Sequence, residues 1–400
     1  MIAPEIGERL AHVGPGTPMG DLLRRYWHPI AAAPELDQDP VRPVRLLGED
    51  LTLFRSETGA LGLVGDRCAH RGISLAYGIP QENGLRCAYH GWTYNTQGQV
   101  VDMPFEPTCL PLRITAYPVQ ELGGLIFAYL GPAPAPLLPR WDALARDDRT
   151  RRIEFTPLPC NWLQCVENAM DPLHVEFLHG QYAVYFNKRR GKTSKFTPRR
   201  HLKIEFDPFR FGIFKRRLLE GQSEDTYEWQ VGHPLLFPNI LALPTEDHFL
   251  LGYRVPVDDT HTMNISYYAV RPEAAKPTDE PLALAYDPLT YDEIGRIEGT
   301  DVGRQDEMAF VAQGPITDRT RWHPATSDKG VNFLHRMLLE NIERVERGED
   351  PVGVVRDWEE NEPMIQIDPG VHAGGWMATF AGTDYFRRWV EDDGMRRAKL

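Results

Sequence analysis

Apolar and polar positions alternate along residues 41–64, VRPVRLLGEDLTLFRSETGALGLV, in runs broken by the turn signals Gly48-Glu49-Asp50 and Glu57-Thr58-Gly59. A period of two with β-branched residues between turns predicts short strands, and the same texture continues to Tyr129. Leu122 to Leu130 reads as a buried strand. It leads into GPAPAPLLPR (131–140), whose prolines predict a semi-rigid linker and a domain boundary. Over 161–180, NWLQCVENAMDPLHVEFLHG, the spacing becomes helical and is interrupted by Pro172. Strand-like runs return between 201 and 270 in HLKIEF, TYEWQV, HFLLGYRV and MNISYYAV. Residues 332–348 place apolar side chains three and four apart, with Gly348 as a C-cap, and predict a helix. The element order predicts an α+β chain: a small all-β domain followed by a larger domain of strands and helices.

Composition narrows the function classes. The 400 residues hold 44 Lys and Arg against 57 Asp and Glu, a net charge of −13. That balance argues against a nucleic-acid-binding surface. At roughly 150 residues per domain the length suggests two or three domains. The 34 glycines and 34 prolines favour a turn-rich, strand-containing architecture over a helical bundle. No apolar run reaches the roughly 18 residues of a membrane span, and the start carries Glu5 and Glu8 rather than an apolar leader. A cytoplasmic protein is expected. Five cysteines are too few and too odd in number for a disulfide scaffold, so those beside histidines read first as metal ligands.

Cys68-Ala-His70 is followed, after sixteen residues, by Cys87-Ala-Tyr-His90. Two such pairs bring two thiolates and two imidazoles to one small volume. A tetrahedral zinc site accepts that set, and so does a Rieske [2Fe–2S] cluster, which takes two Cys on one iron and two His on the other. Zinc fingers place like ligands adjacent; here each loop offers one of each. A second constellation is Glu167-Asn168-x-x-Asp171-x-x-His174-x4-His179. On an ideal helix His174 and His179 fall about 60° and about 80° to either side of Asp171, with Asn168 near His179. Two such imidazoles plus one carboxylate make the facial triad of a mononuclear non-haem iron site. The zincin pattern fails, because it needs His four apart with Glu directly after the first.

With CAHRG and CAYHGW in one half and N-x-x-D-x-x-H-x4-H in the other, the chain resembles the Rieske non-haem iron aromatic-ring oxygenases. VGPGTPMGDLLRRYWHPI, RLLGEDLTLFR, VDMPFEP and AFVAQGPITDRT are similar to the catalytic (α) subunits of the phthalate-dioxygenase-type branch. The resemblance implies an N-terminal segment, 1–26, packing on the catalytic domain, a Rieske domain over 27–135, and a helix-grip catalytic domain over 136–400. It implies that Cys68, His70, Cys87 and His90 hold the cluster. It further implies that His174, His179 and Asp306, in the later Arg304-Gln305-Asp306 segment, hold the mononuclear iron. Asn168 and Asp171 take catalytic roles, Asp171 bridging a Rieske histidine of a neighbouring copy to a ligating histidine in a trimer or a dimer of trimers. Cys160 and Cys165 read as buried structural thiols.

The expected activity is that of a terminal oxygenase. It hydroxylates or O-demethylates a carboxylated or methoxylated aromatic with O2 and electrons from a separate NAD(P)H reductase of ferredoxin or flavin type. The residues around 14–20 are no dinucleotide fingerprint, since their glycine spacing is wrong and no strand precedes them. Ring cis-dihydroxylation is the alternative chemistry, and an electron carrier or redox sensor, or a structural zinc protein, the non-enzymatic ones. Against the net charge, residues 188–217 hold twelve Lys and Arg, a stretch expected either to face water, to dock an acidic reductase, or to contact an anionic substrate. The aromatic-rich strands from Trp229 to Leu251 are expected to wall the substrate pocket.

Overall fold

Nineteen strands form among the described residues of the computed structural model, which are 2–193, 199–244, 247–276 and 280–367. Chain contacts divide the molecule into two units, one of residues 13–146 with 355–365 and one of 2–12 with 147–354 and 366–367.

The smaller unit is built on three β-sheets, with helices of no more than six residues such as Pro18–Leu23 between and beside them. Strands β1 (Trp27–Ala32), β10 (Val119–Leu122) and β11 (Leu125–Tyr129) make one sheet. A second contains β2 (Val41–Leu46), β3 (Glu49–Arg55), β4 (Leu61–Gly65) and β9 (Ala116–Tyr117), and a third β5 (Ile79–Gln81), β6 (Gly84–Arg86), β7 (Thr93–Tyr94) and β8 (Val100–Asp102). The run read as one strand from Leu122 to Leu130 is instead a hairpin: Leu122 pairs with Leu125 across Gly123-Gly124, and all five residues of β11 are buried. The proline-rich 131–140 stretch lies within this unit, where Leu137 bridges Val355 and the Ile365 N–H donates to the Arg140 carbonyl. Residues 13–26 also belong here, tied by Arg24, whose guanidinium donates to the Val13 and Leu47 carbonyls and pairs with Glu49. A core of Val41, Phe54, Val64, Leu75, Leu85 and Tyr94 ends on Cys68 and Cys87.

The larger unit is built on one eight-stranded sheet in the order β13-β14-β15-β16-β17-β18-β12-β19. Its strands are β12 (Thr150–Leu158), β13 (His201–Phe209), β14 (Gly212–Leu219), β15 (His233–Leu236), β16 (Ile240–Pro244), β17 (His248–Asp258), β18 (His261–Val270) and β19 (Leu282–Tyr286). All neighbours are antiparallel except β12 and β19. The helix Trp162–Ala169 packs on β16 and β17, and the helix Lys329–Glu346 on β13. That last helix fulfils the expectation for 332–348, and Gly348 beyond it has φ +78. TYEWQV departs from expectation: Tyr227–Gln230 is one helical turn between β14 and β15, not a strand. Its Trp229 is held by stacking cations, Arg216 at 5.2 Å and Lys203 at 5.4 Å, so the alternation there reflects side-chain stacking rather than sheet pairing. Among the described residues no helix is long and apolar enough to cross a membrane.

A buried ionic knot fixes the helix Trp162–Ala169. Arg319 donates from Nε and Nη2 to the two oxygens of Glu167 at 2.6 and 2.7 Å, and His335 Nε2 lies 2.5 Å from Oε1. Burial works to raise the Glu167 pKa, but Arg319 and His335 outweigh it and hold the carboxyl below its ordinary range. The knot joins that helix to the helix Lys329–Glu346 and to the turn Arg319–Arg321. Because the folded pKa lies below the unfolded one, the stabilisation is complete above the ordinary carboxyl range and is lost as pH falls through the lowered value. Replacing Glu167 by Gln leaves Arg319 buried without its counter-charge. Urea unfolding at pH 7 should show the variant less stable by about 3–5 kcal/mol, and the gap between the two proteins should narrow below about pH 4.

Two candidate metal centres

In the smaller unit the two Cys-His loops are near-copies of each other. The Cys68 N–H donates to the Ile73 carbonyl at 3.0 Å and the Cys87 N–H to the Trp92 carbonyl at 2.8 Å. The loops close by Gly72 N–H to the Cys68 carbonyl and Gly91 N–H to the Cys87 carbonyl. Gly72 and Gly91 have φ +73 and +77, a conformation that side-chain-bearing residues rarely adopt. The thiols are buried, whereas His70 is exposed and His90 half-buried, their ring centroids 4.5 Å apart. His70 stacks on Trp92 at 4.7 Å. Tyr94, fully buried, lies with its hydroxyl 3.1 Å from Cys68 Sγ and accepts from the Ala69 N–H at 2.9 Å. Paired thiols on the protein side and paired imidazoles toward solvent fit the two-sulfur, two-nitrogen demand of a Rieske cluster.

The second constellation is not the regular helix of the wheel. The helix Trp162–Ala169 stops before Pro172, and Val175–Tyr182 winds as a π-helix. Its i→i+5 winding suits the five-residue spacing of His174 and His179, which a regular α-helix would splay apart. Their ring centroids lie 5.0 Å apart, nearly perpendicular. Asp306, from the helix Val302–Val311, reaches the same point: its Oδ1 is 3.1 Å from His179 Nε2 and 3.5 Å from His174 Nε2. One ligand atom from each of the three lies within 4.8 Å of the other two. His179 Nδ1 sits 2.9 Å from Gln305 Oε1, a contact that gives the proton to Nδ1 and turns the Nε2 lone pair toward Asp306. Burial lowers the His179 pKa, but Asp306 more than offsets it and the net direction is up; reciprocally, both histidines keep Asp306 below its ordinary range despite burial. Two imidazole nitrogens and one carboxylate, with no backbone group among them, fit the donor set of a mononuclear non-haem iron.

Asn168 Nδ2 donates to Asp306 Oδ1 at 3.3 Å. Asp171 lies beside His174 with 3.8 Å between Oδ2 and Nδ1, an ion-pair approach longer than a hydrogen bond, while its Oδ1 accepts from the Leu173 N–H at 2.8 Å. A cavity of about 390 Å³ opens at this point, lined among others by Asn168, Asp171, His174, Trp322 and His323. None of its lining comes from Trp229 to Leu251. Cys160 and Cys165 are fully buried, their sulfurs 3.8 Å apart, and burial pushes the Cys165 thiol well up. Sequence reasoning missed the roles of Gln305 and Tyr94, whose only signal was their nearness to Asp306 and to the second Cys-His pair. It also missed Lys215 as an interior residue: buried, it donates from Nζ to the Ala169 carbonyl at 2.7 Å, and burial lowers its pKa to about 8. Of the basic stretch 188–217, Lys195 lies outside the described residues.

A family model described as the Rieske [2Fe-2S] domain matches residues 26–118. Among curated proteins, the 5,5'-dehydrodivanillate O-demethylase oxygenase subunit of Sphingobium sp. (strain NBRC 103272 / SYK-6) is 42% identical over 366 residues, covering 89% of this chain and 84% of that one. The phenoxybenzoate dioxygenase subunit alpha of Ectopseudomonas oleovorans is 34% identical over 387 residues, covering 90% of each. The solved terminal oxygenase of carbazole 1,9a-dioxygenase from Nocardioides aromaticivorans IC177 shares the fold at a TM-score of 0.61 and 19% identity, over 88% of this chain and 98% of that one. A Rieske β domain joined to a helix-and-sheet domain with a 2-His-1-carboxylate cluster, together with identity of this extent, shows that the chain belongs to the Rieske non-haem iron oxygenases, as a terminal oxygenase subunit with a [2Fe–2S] cluster and a mononuclear iron as its cofactors.

Proposed function

We propose that the protein O-demethylates or hydroxylates a carboxylated or methoxylated aromatic compound in the cytoplasm, drawing electrons from a separate NAD(P)H reductase. The convergence of His174, His179 and Asp306 carries this reading, because a carrier of electrons alone has no use for a second metal site. Demethylation is favoured by the relative at 42% identity, named an O-demethylase. Ring dihydroxylation is the second reading, favoured by the relative at 34% identity, named a dioxygenase.

Cys68, Cys87, His70 and His90 would hold the [2Fe–2S] cluster, and His174, His179 and Asp306 the iron. When bound, the two groups supply one-electron storage and activation of O2. The chain's own residues do the positioning. Gln305 accepts from His179 Nδ1 and so keeps that imidazole in one tautomer. Asn168 steadies the carboxylate of Asp306 by a hydrogen bond from its amide. Asp171, at the wall of the cavity beside His174, presents its carboxylate to a Rieske histidine of a neighbouring copy in a homotrimer or dimer of trimers. Tyr94 caps one thiolate of the cluster from the buried side.

Iron analysis of purified protein should give three Fe per chain. Asp306→Ala should keep the two of the red-brown cluster and lose the third; two Fe in the parent protein would instead mark an electron carrier. Turnover of methoxylated benzoates with a reconstituted reductase should release formaldehyde in step with O2 uptake, whereas a cis-diol without formaldehyde would favour dihydroxylation. Asp171→Asn should retain all three Fe yet lose coupled turnover by about 100-fold, and near-parent activity would contradict its bridging role.

A further inference from the structure

Side chains two apart on a strand share a face, so Lys215 and Arg217 of β14 point the same way. The antiparallel register sets His233 of β15 beside Lys215 and Ile204 of β13 beside Arg217. This is the face toward the helix Trp162–Ala169, since Lys215 Nζ reaches the Ala169 carbonyl. His201, at the start of β13, comes in from the π-helix side: its N–H donates to Glu176 Oε2 at 2.9 Å, and Glu176 lies between His174 and His179 in the chain.

These groups are poorly matched. The side chain of His201 is 4% exposed, yet its Nε2 is buried without a hydrogen-bond partner, and so is Nε of Arg217. Glu176 is already engaged by His201, and Glu228 is the carboxylate whose charge Arg217 feels. Burial, reinforced by Arg217 and Lys215, drives the pKa of His233 well down; burial also lowers that of His201, with Arg217 acting against Glu176. Other members of the 188–217 stretch have partners. Arg216, on the opposite face, donates to Asp207 at 2.6 Å, Arg190 pairs with Glu298 at 2.5 Å, Lys203 pairs with Glu224, and Arg210 donates to the Val354 carbonyl. Leaving a buried guanidinium N–H and an imidazole nitrogen unmatched is costly, and an anion that meets both removes the cost.

We propose that Arg217 and His201 Nε2 form the anion subsite of the catalytic domain, where Arg217 pairs with a carboxylate of the aromatic substrate, while the neighbouring Lys215 stays committed to the Ala169 carbonyl and to the charges of Asp171 and Asp306. The proposal rests on the reading of this unit as an aromatic oxygenase and names the group by which the substrate is held. Planar guanidinium N–H pairs match a carboxylate edge.

The test is anaerobic calorimetric titration of the holoenzyme with 5,5'-dehydrodivanillate, phenoxybenzoate and phthalate, each beside its methyl ester. The parent protein should prefer the acid of at least one pair. Arg217→Gln should raise the Kd of that acid by at least about tenfold and leave the ester nearly unchanged. Arg217→Lys should recover part of the loss and stands in for the glutamine variant if that one fails to fold. Arg216→Gln should behave as the parent. No acid preference in the parent, or equal weakening of acid and ester, overturns the subsite. Arg217-dependent acid binding with no oxygenated product under turnover overturns the catalytic reading and leaves the subsite standing. Product formed equally well from the acid by parent and Arg217→Gln does the reverse.

Discussion

A carboxylate taken out of water must be met by donors or positive charge, and the larger unit is arranged to meet that demand at Asp306. Its side chain is 18% exposed and stands against His174, His179 and the amide of Asn168. Each of these comes from a segment that would not be there without another constraint. Pro172 ends the helix that carries Asn168. The π-helix then spends its irregular winding on bringing two histidines five residues apart to one side. The helix Val302–Val311 is placed so that Gln305 orders one imidazole while Asp306 faces both.

Rigidity behind the site comes from a different source. Glu167 sits next to Asn168 in the chain, and its pairing with Arg319 and His335 ties the helix to two distant segments. Such a knot is weak evidence for net stability but strongly resists the loss of one partner. It therefore serves position more than energy. On the sheet side Lys215 does similar work, taking up the carbonyl of Ala169 at the end of the same helix, where a cation is favoured. The smaller unit solves its own problem with two closed loops, which hold both thiols on the apolar core and turn both imidazoles outward.

Local chemistry was readable where a short segment carries the whole message. The spacings of Cys68, His70, Cys87 and His90 and of His174 and His179 are local, and so is the amphipathic periodicity of the helix ending at Gly348. Patterns with two physical explanations misled. TYEWQV alternates because Trp229 is stacked between cations, and Leu122 to Leu130 is apolar on both sides of a two-glycine turn. The proline-rich stretch has the composition of a spacer, but residues 355–365 return to pair with it. No local signal announces a strand that arrives more than 200 residues later.

What the amino-acid sequence determined by itself is the inventory: two thiols and two imidazoles on paired loops, two more histidines five apart, an acidic candidate after Gln305, and a basic stretch in an acidic protein. Tertiary structure decided which of several nearby acids meets the histidines, because helix phase and the register of distant segments select Asp306 over its neighbours. It also decided which basic residues look inward. Strand alternation sends Arg216 to Asp207 and Trp229 and turns Lys215 and Arg217 toward the interior, a distinction that depends on which face of the sheet is covered and so cannot be read from charge alone.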